Sequence, residues 1–150
     1  MGHTYSSILI HVIFSTKHRK PSIREGLRPR LCEYLAGIAR NEFGRALKIG
    51  GTDNHIHSLL SLNTDVAIAD AMCRWKSLSS GWIHQTFADT SDFAWQSGYG
   101  AFSVSQSNAA KVIAYIEDQP EHHRTRTFEE EFIEFLKQHK IEYDPRYVWD

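Results

Sequence analysis

The chain predicts an α+β protein in which helices pack on one face of a small antiparallel sheet. Three observations lead there. Short runs rich in β-branched and aromatic residues alternate with longer stretches whose apolar residues recur every three or four positions. Two of the strand-like runs are neighbours, with Gly50-Gly51 reading as the turn between them. The helical stretches have one apolar stripe each, so each needs one surface to pack against.

Residues 5–15, Tyr-Ser-Ser-Ile-Leu-Ile-His-Val-Ile-Phe-Ser, are strand formers and read as a central strand. Lys17, His18, Arg19 and Lys20 then make a basic turn. Ser22 and Glu25 have the spacing of a capping box, after which Leu27, Leu31, Tyr34, Leu35 and Ile38 recur at helical intervals until Gly44. Pro29 draws the start of that helix toward itself, because proline fits only a first turn. Residues 46–50 and His55–Leu62 read as strands, and a helix is expected over Ala67–Phe87 with Ile68, Met72, Trp75, Leu78 and Trp82 on its apolar side. Glycine-interrupted strand material spans Phe93–Val104. Ser105 or Ser107 caps a helix that runs to Gln119 and stops at Pro120. A last helix, Phe128–His139, buries Phe128, Phe132, Phe135 and Leu136. Strand, helix, strand, strand, helix, strand, helix, helix is the order of a ferredoxin-like sandwich.

No repeat or linker divides residues 1–150, which read as one domain. With 41% apolar and 23% charged residues the chain has the composition of a globular protein rather than a disordered one. No run approaches the roughly 20 apolar residues of a membrane span, and the N-terminus lacks a secretory pattern. Cys32 and Cys73 stand apart, which suggests buried, reduced thiols in a cytoplasmic protein. Net charge is −1, yet the first fifty residues hold nine Lys/Arg against three Asp/Glu. That basic third, with Lys17, Arg19 and Lys20 clustered in one turn, suits a phosphate-attracting surface, although a solvated helix face plus a basic loop gives the same count.

The chemistry centres on Asp53-Asn54-His55-Ile56-His57. Side chains two apart in a strand share a face, so His55 and His57 project together while Ile56 enters the core. Two converging imidazoles suit a metal, although two solvent-facing histidines would show the same spacing. Tyr115 and Gln119 lie one helical turn apart. Gln119 offers a neutral oxygen ligand, and Tyr115 either a nucleophile or an amphipathic residue at the edge of the core. Asp53 reads as a turn former, Lys111 as a solvated lysine, Tyr99 as a packing residue, and Trp75 and Trp82 as core. His122 and His123, beside Arg124 and Arg126, read as a polar loop, with phosphate contact or an auxiliary ligand as the alternative.

His55-Ile56-His57 on a strand, followed by Tyr115-Ile116-Glu117-Asp118-Gln119 on a helix, resembles the HUH single-tyrosine transposases of bacterial insertion sequences and the related REP-associated tyrosine transposases. Phe14-Ser15-Thr16-Lys17, the segment Gly98–Ser105, His122, His123 and Glu142-Tyr143-Asp144 extend the resemblance over nearly the whole chain. It implies His55, His57 and Gln119 as ligands of Mg²⁺ or Mn²⁺, and Tyr115 as the nucleophile. It further implies a bacterial or archaeal enzyme that cuts and rejoins hairpin-forming single-stranded DNA through a 5′-phosphotyrosine. The family also implies a homodimer, with the histidines of one subunit facing the tyrosine helix of the other. Two other functions fit these residues: a domesticated relative that binds hairpins without transposing, and a metal hydrolase in which water attacks.

Overall fold

The computed structural model describes residues 2–150. Strands β1 (Leu9–Ser15), β2 (Gly44–Gly51), β3 (His55–Leu62) and β4 (Gly100–Val104) form one sheet ordered β2-β3-β1-β4, with every neighbouring pair antiparallel. Helix α1 (Arg28–Glu42) joins β1 to β2, and α2 (Ile68–Thr86) joins β3 to β4. This βαββαβ path gives the expected α+β sandwich.

Alternation along the two central strands divides the molecule. Ile10, Val12 and Phe14 of β1, with Ile56 and Leu60 of β3, pack against Leu31, Leu35 and Ile38 of α1 and Met72, Trp75 and Ile83 of α2. Leu9, His11, Ile13 and Ser15 point the other way, yet all seven β1 residues are buried. The reason is a second helical layer. In α3 (Ala109–Glu117), Ala109 and Ile116 cover Leu9 and Leu59. In α5 (Phe128–Gln138), Phe128, Phe132 and Leu136 cover Ile13 and Phe102. The single helical face expected from the sequence is therefore supplemented by a layer on the opposite face.

Several local expectations are revised. Ser22 and Glu25 cap nothing; α1 begins at Arg28 with Pro29 in its first turn, where a missing N–H is harmless. Gly50 and Gly51 pair with His57 and Ile56 inside the ladder, and the turn is made by residues 52–54. Gly50 is needed there because a Cβ would lie 2.5 Å from the Ile116 carbonyl oxygen of α3. Leu78 is exposed, its place on the buried side of α2 taken by Ala71, Ser79 and Ile83. Only residues 100–104 of the glycine-rich segment form a strand, although Trp95 makes one bridge with Thr16. The tyrosine helix breaks at Asp118, after which α4 (Gln119–His122) carries Pro120 in its first turn. Thr127 and Glu130 form the capping box that starts α5. Cys32 is half-buried and Cys73 exposed, so the thiols are free but not both buried. Among the described residues no helix is long and apolar enough to cross a membrane.

Candidate active site

Strand β3 places His55 and His57 on the α3/α5 face, with Ile56 in the opposite core, as alternation requires. Both imidazoles are buried rather than solvent-facing. Around them α4 contributes Gln119, the loop after it His123, α3 Tyr115, and α5 Glu131. The Nε2 atom of His57 lies 2.8 Å from Glu131 Oε1, and that of His123 lies 3.2 Å from the same oxygen. The side-chain donor atoms of His55, His57, His123 and Glu131 all fall within 4.8 Å of one another, so the cluster is compatible with a divalent metal.

Proton bookkeeping strengthens that fit. Asn54 Oδ1 lies 2.8 Å from His55 Nδ1 and also accepts from the Thr52 hydroxyl, so His55 carries its proton on Nδ1. Its Nε2 then directs a lone pair at Gln119 Oε1, 3.0 Å away. Gln119 is held in that orientation because its Nε2 donates to Glu131 Oε2 at 3.2 Å. Two acceptors facing each other at this distance, with His123 Nε2 3.1 Å from the same amide oxygen, form a pocket chemically matched to a cation. His11 of β1, opposite Leu59 in the register, places Nε2 2.8 Å from His57 Nδ1.

Burial, reinforced by His57, lowers the pKa of His55 to about 3; burial likewise lowers His11 to about 3, and it depresses His57. All three rings are therefore neutral near pH 7, the form that ligates. Burial pushes Glu131 up, but hydrogen bonds from His123 and His57 outweigh it and hold the carboxyl well below the ordinary carboxylate range. Burial and then the bond to Glu131 raise the Tyr115 phenol above its usual value, against the opposing charge of Arg126. The Tyr115 hydroxyl donates to Glu131 Oε2 and accepts from Arg126 Nη2 at 2.8 Å, while the His122 ring stacks on the phenol at 4.3 Å.

The histidine pair, Tyr115 and Gln119 come together within the one chain described. Lys17 and Lys20 are exposed on the basic turn. Arg19 is more constrained than expected, paired with Glu129 at 2.9 Å and stacked 5.0 Å from the Trp149 ring. Asn54 and Thr52, not Asp53, orient His55. His123 belongs to the cluster rather than to a merely polar loop. Glu131 is the residue sequence reasoning missed. Its signal was present, since Phe128, Glu131, Phe132 and Phe135 occupy positions i, i+3, i+4 and i+7, placing a carboxylate inside an apolar stripe.

The chain belongs to the family described as "Transposase IS200 like", whose profile matches residues 4–119. Among solved structures, it is similar to a candidate transposase from Deinococcus radiodurans R1, with a TM-score of 0.64, 22% identity, and coverage of 79% of this chain and 96% of that one. A REP-associated tyrosine transposase bound to a REP hairpin aligns with a TM-score of 0.60 and 11% identity, over 82% of this chain and 74% of that one. At these identities the two structures establish the shared fold. No curated protein gives a significant match to the sequence.

Proposed function

We propose that this transposase cuts and rejoins single-stranded, hairpin-forming DNA through Tyr115, with Mg²⁺ or Mn²⁺ held by His55, His57 and Gln119. The observation that supports this most is that the phenol, both imidazoles and the amide converge on one buried carboxylate, Glu131. His123 and Glu131 complete the donor set. A divalent ion in that position supplies neutralisation of charge on the scissile phosphate.

The chain's own groups account for the rest. Thr52 and Asn54 fix the tautomer of His55, and His11 faces the outer nitrogen of His57, so both inner nitrogens can be presented unprotonated. Glu131 Oε2 is the acceptor for the Tyr115 proton, and Arg126 steadies charge on the phenol oxygen. As that O–H bond breaks, the Tyr115 oxygen bonds to phosphorus and the bond to the 3′-oxygen breaks. The released 3′-oxygen takes up the proton, leaving a 5′-phosphotyrosine and a free 3′-hydroxyl. The phosphotyrosine retains a phosphodiester's energy, so a second 3′-hydroxyl can reverse the reaction and join new ends without ATP. Action on chromosomal DNA in the cytoplasm of a bacterial or archaeal cell, and a homodimer, complete the reading.

The test is a labelled single-stranded hairpin incubated with protein and Mg²⁺ or Mn²⁺. A denaturant-resistant protein–DNA adduct is expected, and Tyr115→Phe should abolish it while leaving DNA binding intact. Cleavage that persists in the variant would mean that water attacks; binding without any adduct would mean a hairpin-binding relative.

A further inference from the structure

A cleft of about 460 Å³ opens beside Tyr115, between α3 and α5, within the roughly 300–1,000 Å³ range of small-ligand sites. We propose that it seats one nucleobase of the DNA strand, that of a nucleotide adjoining the scissile phosphate. The inference rests on the cleavage reading above and goes beyond it by assigning a base-recognition site.

The lining selects the ligand. Phe135 of α5 and Val112 of α3 supply apolar surface, and Phe135 meets Tyr115 edge-on with ring centroids 5.9 Å apart. A half-buried aromatic ring at such a place offers a stacking face that every base can use. The cleft's acidic side disfavours a phosphate there, because Glu131 and Glu134 both line it. Arg126, which would otherwise counter them, is already bonded to Glu134 at 2.5 Å and to the Tyr115 oxygen. Gln138 donates to Glu134 at 3.2 Å, which leaves its amide oxygen able to accept from a base edge. Lys111, exposed on the rim one turn before Tyr115, is placed for the phosphate that must lie outside. Tyr115 is itself a wall of the cleft, so a strand whose phosphate reaches the phenol oxygen carries its neighbouring base to the opening.

The experiment maps the bond joined to Tyr115 on a labelled hairpin oligonucleotide, then replaces each nucleotide flanking it with an abasic residue. With Mn²⁺ present, the wild-type protein should form its adduct roughly ten- to a hundred-fold more slowly when the seated base is missing. Phe135→Leu, which keeps an apolar side chain in the α5 packing, should slow the intact strand by a similar factor. It should also erase the difference between intact and abasic strands. Equal rates for intact and abasic strands at both flanking positions overturn the pocket, and so does a Phe135→Leu protein that keeps the wild-type discrimination. Failure to form an adduct on any strand overturns the cleavage reading itself, and the pocket falls with it.

Discussion

The two faces of one sheet do different work with the same strands. Facing α1 and α2, β1 and β3 present Ile10, Val12, Phe14, Ile56 and Leu60 to an apolar core. Facing α3 and α5, the intervening positions present His11, His55 and His57 among Leu9, Ile13 and Leu59. The first face holds the sheet by removing apolar area from water. The second buries polar groups, which is tolerable only while each has a partner. Glu131 answers that demand, accepting from Tyr115 and Gln119 and lying within hydrogen-bond distance of His57 and His123. The larger apolar core thus lies on one side of the sheet and the candidate site on the other.

Substitution on each face should separate those roles. Glu131→Ala removes the charged donor and strands His57, Tyr115 and Gln119; the expected outcome is loss of measurable Mn²⁺ binding by calorimetry together with loss of the DNA adduct. Leu35→Ala, in the apolar core, should instead reduce unfolding free energy by about 2–5 kcal/mol in urea titration, with the metal affinity of the folded protein unchanged. Equal losses of metal affinity in both variants would erase the division.

A smaller effect is expected at His11, which lies on the polar face and touches His57 without joining the cluster of donors. For His57 Nε2 to ligate, its single proton must sit on Nδ1 and be donated to His11 Nε2. His11→Ala removes that acceptor and should weaken Mn²⁺ binding by roughly 10–100-fold, the usual scale for such supporting partners. His11→Gln, whose amide oxygen can accept the same proton, should recover part of the loss. A His11→Ala protein with wild-type metal affinity would show that the contact is only packing.

The same contrast explains what the sequence disclosed. Period-2 alternation through His55-Ile56-His57 and the apolar repeats of α1 and α2 are local patterns, so the sandwich and the shared face of the histidines were legible. The spacing of Tyr115 and Gln119 showed only that they share a helix face, and their proposed roles came from the resemblance to the single-tyrosine transposases. Glu131 reaches the histidines from a helix more than seventy residues later in the chain, and no local rule links them. The second helical layer was not read from the sequence, although apolar Leu9 and Ile13 on the other face of β1 are its local trace. Gly50 was misread as a turn because close approach of α3, a tertiary fact, is what requires it.

Acid should weaken the polar face selectively. His11 and His55 titrate near 6.5 when unfolded and near 3 when folded, and His57 is depressed in the same direction. Above about pH 6.5 both states are neutral and the groups leave stability unaffected by pH. Below it the unfolded chain takes up protons first, so stability falls as pH drops toward 3, by about 1.4 kcal/mol per pH unit for each such group. Metal-free protein should therefore show a falling urea midpoint from pH 7 to 5, with a shallower slope in His11→Gln. A flat profile over that range would mean that these rings take up protons without unfolding.

The smallest effect belongs to the basic turn, which lies on neither face. Lys17 and Lys20 are exposed, whereas Arg19 is occupied by Glu129 and Trp149. A lysine that contacts phosphate releases roughly one counterion, so its removal weakens binding uniformly and lowers the salt dependence rather than the specificity. Lys17→Ala and Lys20→Ala should each reduce the slope of log affinity against log salt by about 0.7 for single-stranded DNA. Arg19→Ala should change that slope less, because its guanidinium already has a carboxylate partner. An Arg19→Ala effect larger than that of either lysine would mean that DNA displaces Glu129 from Arg19 on binding.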